Sequence, residues 1–127
     1  MSAVTAADRK ATALNFLRLV RAGRRVEAEA LVAPGARHHN PFFAAGMAAL
    51  FDAVEAAAKM APDRTADVKC AVAEDDYVTI HSHMRPAPGD RGASVVHIFR
   101  FEGDRIAEIW DVGQAVPEHN ANSDGMF

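Results

Sequence analysis

One β-hairpin is recognisable at residues 93–112, which read ASVVHIFRFEGDRIAEIWDV. Two segments rich in Val, Ile and aromatic residues flank a short polar turn at residues 102–104, which is the pattern of a tight antiparallel hairpin. In the first segment, Val96 and Ile98 lie on one face of the predicted strand and Phe99 lies on the other. Strands that are apolar on both faces are usually buried on both faces. Both faces of the hairpin are therefore predicted to be covered by other parts of the protein or by a partner.

Helices precede this hairpin, and two further strands lead into it. Apolar residues recur every three or four positions in the first half of the chain and every second position after Pro62. Thr5 and Asp8 have the spacing of a capping box that begins the first helix, and Gly23 is suited to end that helix. The predicted elements are helices over residues 6–22, 24–32 and 45–60, and strands over residues 66–73, 77–84, 93–101 and 105–112.

This order of elements predicts an α+β fold, in which three N-terminal helices cover one face of an antiparallel sheet of about four strands. The length of 127 residues fits a single domain over residues 1–127. The helices can cover only one face, although the strands are apolar on both. We therefore expect a homodimer in which a second copy covers the other face of the sheet.

Composition and charge exclude several classes of protein. Hydrophobic residues make up 50% of the chain and charged residues 24%, which is incompatible with a disordered chain. The net charge of −3 and scattered Arg residues argue against a nucleic-acid partner. No apolar segment approaches the roughly 18 residues of a membrane span, and no secretory signal is recognisable. We therefore expect a cytoplasmic protein without a membrane partner.

The single cysteine, Cys70, cannot form an internal disulfide, which fits a reducing compartment. Cys70 alternates with Val68 and Val72 in the first predicted strand. This alternation predicts that Cys70 is a buried and inert thiol rather than a nucleophile.

Asp111 and His97 interrupt the apolar hairpin and are the candidate catalytic residues. A carboxylate among apolar side chains suits proton transfer near neutral pH, because burial disfavours its charged form. A two-residue turn would place His97 opposite Trp110 and direct Asp111 to the other face. A three-residue turn would place His97 opposite Ile109 and make His97 and Asp111 diagonal neighbours, about 7–8 Å apart. The sequence leaves both registers open.

His81 and His83 share one face of a predicted strand, as two metal ligands would. The residues that follow supply no Glu to complete such a site. A polar pocket wall or a sheet surface is the simpler interpretation of the pair. We therefore predict no bound metal ion.

The loop between the second and third predicted helices contains His39-Asn40-Pro41 followed by Phe42 and Phe43. Asn before Pro disfavours helix and predicts an extended or turn conformation. The two Phe side chains are expected to seek the core. His39 and Asn40 would then point into the mouth of a cavity, although a loop that merely buries the two Phe residues is an equal alternative.

Several of these motifs together resemble the SnoaL-like branch of the nuclear transport factor two-like superfamily. The motifs are His39-Asn40-Pro41, Val78-Thr79-Ile80-His81-Ser82-His83, Val96-His97-Ile98-Phe99-Arg100-Phe101, Ile106-Ala107-Glu108-Ile109-Trp110-Asp111-Val112 and the terminal Gly125-Met126-Phe127. The resemblance covers nearly the whole chain. It implies a cone-shaped, cystatin-like fold, in which a curved antiparallel sheet wraps around the helices and encloses an apolar pocket, usually in a homodimer.

The resemblance also implies roles for two residues. In SnoaL-type polyketide cyclases, an Asp on the last strand acts as general acid/base in an intramolecular aldol condensation, without metal or cofactor. Asp111 matches that Asp, and His97 matches a His on the preceding strand. The superfamily also includes ketosteroid isomerases, epoxide hydrolases, dehydratases and proteins without catalysis, so the fold alone does not identify the reaction.

Our hypothesis from the sequence is a small cofactor-independent enzyme of the cyclase or isomerase type, acting next to a carbonyl of a hydrophobic small molecule. Asp111 would remove a proton, and His97 would orient Asp111 or hydrogen-bond the developing enolate. The candidate substrate contacts are His39, Asn40, His83, Phe43 and Trp110. One alternative is a non-enzymatic small-molecule-binding or scaffold protein of the same fold. Another is a metalloprotein that uses His81, His83 and His39.

Overall fold

The computed structural model describes residues 3–127, and in that range the chain forms three helices and five strands. The helices are α1 (Ala6–Arg21), α2 (Arg25–Glu29) and α3 (Met47–Met60). The strands are β1 (Val32–His38), β2 (Thr65–Glu74), β3 (Tyr77–Arg85), β4 (Ala93–Glu102) and β5 (Arg105–Ala115). The predicted α+β class, the three helices and the antiparallel pairing of β2 to β5 are confirmed.

The predicted capping box begins α1. The Thr5 side chain accepts a hydrogen bond from the backbone N–H of Asp8 at 3.1 Å, and the Asp8 carboxylate accepts one from the backbone N–H of Thr5 at 2.9 Å. These bonds satisfy two backbone donors that the first turn leaves free, and they lower the pKa of Asp8. The start of α1 is therefore determined locally.

The sheet has a fifth strand that the sequence did not predict. Its strand order is β1-β5-β4-β3-β2, and β1 pairs parallel to β5. The predicted second helix was too long: α2 ends at Glu29, and the chain from Val32 onward joins the sheet edge. Pro34 cannot donate a ladder hydrogen bond, but an edge strand tolerates this loss. The pairing is irregular between Val32 and Arg37, around Pro34 and a positive-φ Gly35.

The β4–β5 hairpin adopts neither of the two registers considered from the sequence. Glu102 pairs with Arg105 across a two-residue turn, but a β-bulge at Ala107 then shifts the register by one residue. His97 is therefore directly opposite Asp111. Directly opposed residues share a face, so the bulge brings the two candidate catalytic residues together.

A second bulge corrects the prediction for Cys70. Val68 pairs with Ser82 and Cys70 with His81, which leaves Lys69 as the extra residue in β2. An extra residue reverses the alternation of faces beyond it. Cys70 is consequently exposed rather than buried.

The core lies between the helices and one face of the sheet, which we call the inner face. Phe16 of α1 packs edge-to-face against Phe51 of α3 and Phe99 of β4, with ring centroids 6.1 and 5.9 Å apart. Val78 and Ile80 of β3 are fully buried in the same cluster. None of the helices described here is long and apolar enough to cross a membrane.

Candidate functional site

The inner face borders an apolar cavity of about 310 Å³ beneath α1 and α3. Its wall includes aliphatic side chains from both helices, three Arg side chains, and residues of β2, β3 and β4. The lining residues are Leu14, Leu17, Arg18, Val20, Arg21, Val54, Ala57, Arg64, Ala66, Val68, Ser82, Met84 and His97. This inner cavity has the size and apolar lining of a small-molecule site.

A smaller cavity of about 60 Å³ adjoins the inner cavity and contains Asp111 in its wall. The two cavities share the side chains of Leu17, Val20, Val54 and His97. His97 therefore borders both spaces, whereas Asp111 borders only the smaller one. Phe16, Phe51 and Ile109 complete an apolar surrounding for the carboxylate.

Asn40 reaches Asp111 from the end of β1. Parallel pairing places His38 beside Ile109, and the backbone N–H of His39 donates to the carbonyl of Ile109 at 3.0 Å. Asn40 Nδ2 then donates to Asp111 Oδ2 at 2.9 Å. Asn40 thus contacts the candidate catalytic residue, although it lines neither of the two cavities and approaches from the end of a strand that the sequence did not predict.

The turn that orients Asn40 has its own supports. Asn40 Oδ1 accepts from the backbone N–H of Phe42 at 2.9 Å, as Asn does in turns. The buried His38 accepts from the backbone N–H of Asn40 through Nδ1 at 3.1 Å, and its Nε2 donates to the carbonyl of Ala44 at 2.8 Å. Sequence reasoning did not select His38, whose role depends on these backbone partners.

Burial favours the neutral form of the His97 imidazole. Burial lowers its pKa, and the nearby Asp111 carboxylate only partly opposes this effect. Its Nδ1 is buried and has no hydrogen-bond partner within residues 3–127. A buried nitrogen without a partner is unfavourable, so His97 has hydrogen-bonding capacity that a ligand can use.

The lowered pKa of His97 predicts a pH-dependent stability. In the unfolded chain a His takes up a proton near about pH 6.5, whereas folding resists protonation of His97. The free energy of unfolding should therefore fall as the pH drops from about 7 through that value, until the folded form is also protonated. Urea denaturation at several pH values should show that the free energy of unfolding changes less with pH for His97→Gln than for the wild type.

The matched control is His119→Gln, which changes an exposed histidine in the C-terminal segment. This variant should keep the wild-type slope. Equal slopes for His97→Gln and the wild type would contradict the assignment of the effect to His97.

Two predicted substrate contacts, His39 and Trp110, lie on the outer face of the sheet and do not line the inner cavity. Trp110 pairs with Ile98 across the hairpin and stacks on His39, with ring centroids 5.0 Å apart. His39 Nε2 lies 2.5 Å from Glu108 Oε2. The prediction for Trp110 was wrong because the bulge at Ala107 directs Trp110 outward and Asp111 inward. The prediction for His39 was wrong because the preceding His38 pairs with Ile109 on the inner face, which leaves His39 on the outer one.

Glu108 is a buried charged residue that the sequence analysis did not select. Its Oε1 accepts from Arg100 at 3.1 Å, and its Oε2 accepts from Arg37 at 3.3 Å. The hydrogen bond with His39 is the main cause of its lowered pKa, with the two Arg residues acting in the same direction. Glu108, Arg100, Arg37 and His39 form a charged cluster on the outer face. Its signal in the sequence was a charged residue between Ala107 and Ile109 in an otherwise apolar strand.

Two further predicted substrate contacts lie away from the inner cavity. His83 Nε2 donates to the carbonyl of Arg91 at 2.7 Å, and its ring stacks on Phe127 with centroids 4.2 Å apart. Phe43 is 42% exposed and its neighbour Phe42 is 86% exposed, so the loop does not bury them as expected.

The histidine pair on β3 has other partners. His81 Nε2 lies 2.8 Å from Ser94 Oγ, and its ring stacks on Phe127 at 5.6 Å. Within residues 3–127, no three His, Cys, Asp or Glu side chains are grouped so that they could hold a metal ion. The prediction that the chain binds no metal awaits elemental analysis.

Solved structures with the same fold come from several bacteria. A SnoaL-like protein of unknown function from Burkholderia thailandensis is 17% identical, with 90% of this chain and 100% of that chain covered and a TM-score of 0.72. AclR, a proposed hydroxylase from Streptomyces galilaeus, is 21% identical over 87% of this chain and 91% of its own, with a TM-score of 0.74. A proposed ketosteroid isomerase from Kribbella flavida is 15% identical over 92% and 85%, with a TM-score of 0.72. These likenesses establish the cone-shaped, nuclear transport factor two-like fold.

The family comparison covers most of the chain. A separate comparison with curated proteins found no match to this chain. The family model described as the SnoaL-like domain matches residues 13–109, from α1 into β5, and ends two residues before Asp111. The resemblance noted in the sequence is therefore confirmed, and the chain belongs to the SnoaL-like domain family.

Proposed function

We propose that this protein is a small enzyme that moves a proton next to a carbonyl group of an apolar compound, without metal or cofactor. The observation that carries this proposal is the direct opposition of Asp111 and His97 on the inner face, where both border one small apolar cavity. A carboxylate can accept a proton there, and a neutral imidazole can donate a hydrogen bond beside it.

The proposed reaction begins with Asp111 accepting a proton from the carbon next to the carbonyl. The C–H electron pair moves into the carbonyl and forms an enolate, whose oxygen is stabilised by a hydrogen bond from neutral His97. Asn40 holds the Asp111 carboxylate in position through its bond to Oδ2. The proton returns from Asp111 either to the enolate at another carbon or to the oxygen formed when the enolate attacks a second carbonyl.

Two features support this reaction class. Asp111 can supply the proton acceptor of the proposed step and His97 the hydrogen-bond donor, and the two side chains lie directly opposite each other. Two structures of the same fold are described as a proposed hydroxylase and a proposed ketosteroid isomerase, and isomerisation of a ketosteroid would be chemistry next to a carbonyl. The geometry supports proton transfer next to a carbonyl, and it does not select one product of that transfer.

Hydrogen–deuterium exchange of 2-tetralone tests the proposal without knowledge of the natural substrate. This apolar ketone carries exchangeable hydrogens next to its carbonyl. In D₂O buffer with EDTA, the protein should accelerate exchange above the buffer rate, as followed by NMR. Exchange at the buffer rate for 2-tetralone and for related aromatic ketones would contradict the proposal.

A non-enzymatic binding protein is the second candidate function. It is favoured by one observation: the larger inner cavity contains no carboxylate in its wall, and Asp111 borders only the smaller space. Saturable binding of aromatic ketones, measured by calorimetry, without any accelerated exchange would support this candidate over the enzyme.

The outer face of the sheet supports the proposal of a homodimer. Val112 is 64% exposed there, and Tyr77 on β3 is 45% exposed. Large apolar side chains on a sheet face indicate an interaction surface. Ile98→Asp places a charge on this face and should convert the dimer to monomer or aggregate, because a buried charge without a partner is costly.

Sedimentation equilibrium measures the outcome. The control Val26→Asp adds the same charge to α2, at a side chain that is 81% exposed, and should leave the dimer intact. A wild-type protein that sediments only as a 13.6 kDa species at micromolar concentration would contradict the dimer.

A further inference from the structure

We propose that Arg64 binds a carboxylate on the ligand, so that the compounds bound in the inner cavity are apolar carbonyl compounds that also carry an acid group. This inference rests on the proposed role of the inner cavity as the substrate site. It extends that role by assigning a second polar contact and the chemical class of the ligand.

Arg64 is anchored but has unused donors. Its Nη2 donates to the carbonyls of Val20 and Arg21 at 2.9 and 2.8 Å, at the C-terminal end of α1. Its Nη1 is buried and has no partner within residues 3–127. A guanidinium group presents five N–H donors in a fixed plane that matches the two oxygens of a carboxylate. Because these two carbonyls use both hydrogens of Nη2, Nη1 and Nε are the donors that remain for an acid group.

The orphan nitrogens of Arg64 and His97 belong to the same site. They are the two buried side-chain polar atoms without a partner in the described part of the chain, and both residues line the inner cavity. Buried polar atoms are nearly always hydrogen-bonded in folded proteins. A ligand in the inner cavity with one oxygen for each residue would satisfy both once the two side chains turn these nitrogens toward it, with its apolar body against the helices.

The charge around Arg64 favours an anion over a neutral oxygen. Arg18 and Arg21 also line the inner cavity, and its wall includes no Asp or Glu. Burial and the neighbouring Arg21 both lower the pKa of Arg64, as expected where a positive charge lacks compensation. A carboxylate placed beside Arg64 and Arg21 would reduce the repulsion between these two guanidinium groups.

Arg64 also borders a more open cavity of about 470 Å³ beside the inner one. The acidic residue in that wall is Asp90, and its carboxylate already accepts from the backbone N–H of Gly92 at 2.8 Å. Arg64 thus lies between the inner cavity and an open approach. An acid group held there would leave the carbonyl end of the ligand to extend toward His97.

Two probes of nearly the same shape test the inference. 2-Naphthoate carries a carboxylate at neutral pH, whereas 2-naphthamide carries a neutral amide on the same ring. Calorimetry should show that the wild-type protein binds 2-naphthoate at least about tenfold more tightly, which is the usual scale of one charge-assisted contact. Arg64→Gln should abolish this preference by weakening 2-naphthoate and leaving 2-naphthamide nearly unchanged.

Controls separate loss of the contact from loss of the fold. Arg105→Gln removes the same charge at an exposed position in β5 and should keep the preference. Arg64→Lys retains the charge but lacks the planar pair of donors, so it should give an intermediate preference even if Arg64→Gln fails to fold. Equal affinities of the wild type for the two probes, no binding of 2-naphthoate, or an unchanged preference in Arg64→Gln or Arg64→Lys would overturn the inference.

The same titration distinguishes this inference from the proposed reaction. Asp111→Asn leaves the residues around Arg64 in place, so it should bind 2-naphthoate as the wild type does. If the protein shows Arg64-dependent binding but no accelerated exchange, the reaction is wrong and the acid-binding site stands. If exchange occurs without that preference, the acid-binding site is wrong.

Discussion

Asp111→Asn is expected to lower the rate of protein-catalysed exchange in 2-tetralone by about 10²–10⁴-fold, the usual contribution of a positioned general base. Asn has nearly the shape of Asp but cannot accept the proton. Its side-chain oxygen can still accept the hydrogen bond that Asn40 gives Asp111 at 2.9 Å. The loss should therefore arise from the chemistry and not from a displaced loop.

NMR measures the exchange rate, and circular dichroism verifies that the variant folds. Asp104→Asn is the matched control, because it makes the same change at an exposed position in the β4–β5 turn. That variant should exchange 2-tetralone at the wild-type rate. A folded Asp111→Asn protein with wild-type exchange would remove Asp111 from the reaction.

Phe99→Ala is expected to reduce the free energy of unfolding by about 3–5 kcal/mol, the usual cost of truncating a buried Phe. Phe99 is fully buried and packs edge-to-face on Phe16. Its removal deletes apolar contacts between β4 and α1 and leaves a space beside His97, whose ring centroid lies 6.1 Å away. Urea denaturation should show a lower midpoint.

The control for this prediction is Phe42→Ala, which removes the same side-chain atoms from a position that is 86% exposed. Its free energy of unfolding should stay within about 0.5 kcal/mol of the wild type, as for most surface substitutions. Similar losses for the two variants would mean that the core is not where the structure places it.

Local patterns in the sequence predicted most of the fold. The capping box at Thr5, the helical spacing before Pro62 and the alternation after it correspond to α1, α3 and β2 to β5. β1 was missed because Pro34 and Gly35 are ordinary signals for a turn. Only the edge position beside β5 makes an extended conformation favourable there, and such pairing between distant segments leaves no local pattern.

The candidate site was harder to predict, because it depends on single-residue register. The sequence selected Asp111, His97 and Asn40, which the structure brings together. It placed Trp110 in the pocket and Cys70 in the core, and both placements were wrong because a bulge interrupts the alternation in each strand. Strict alternation was assumed, whereas bulges depend on how neighbouring strands pair.

Arg64 illustrates a different limit. It lies in the connection between α3 and β2, and nothing in the residues around it distinguishes it from the other scattered Arg residues. Its anchoring carbonyls belong to residues more than 40 positions earlier in the chain. Only folding reveals that its Nη1 atom is buried and has no hydrogen-bond partner among residues 3–127.

Because of the bulge at Ala107, deletion of one residue from β5 and insertion of one residue into it have different consequences for the site. A descendant that loses Ala107 can restore regular pairing, with Asp111 still opposite His97. A descendant that gains a residue in the same segment must either accommodate two extra residues in the bulge or shift the register by one residue. The register shift would turn Trp110 to the inner face and Asp111 to the outer face. Shortening by one residue would thus preserve an acidic cavity, whereas lengthening would tend to replace it with an aromatic one, and lineages could diverge in chemistry without a change of fold.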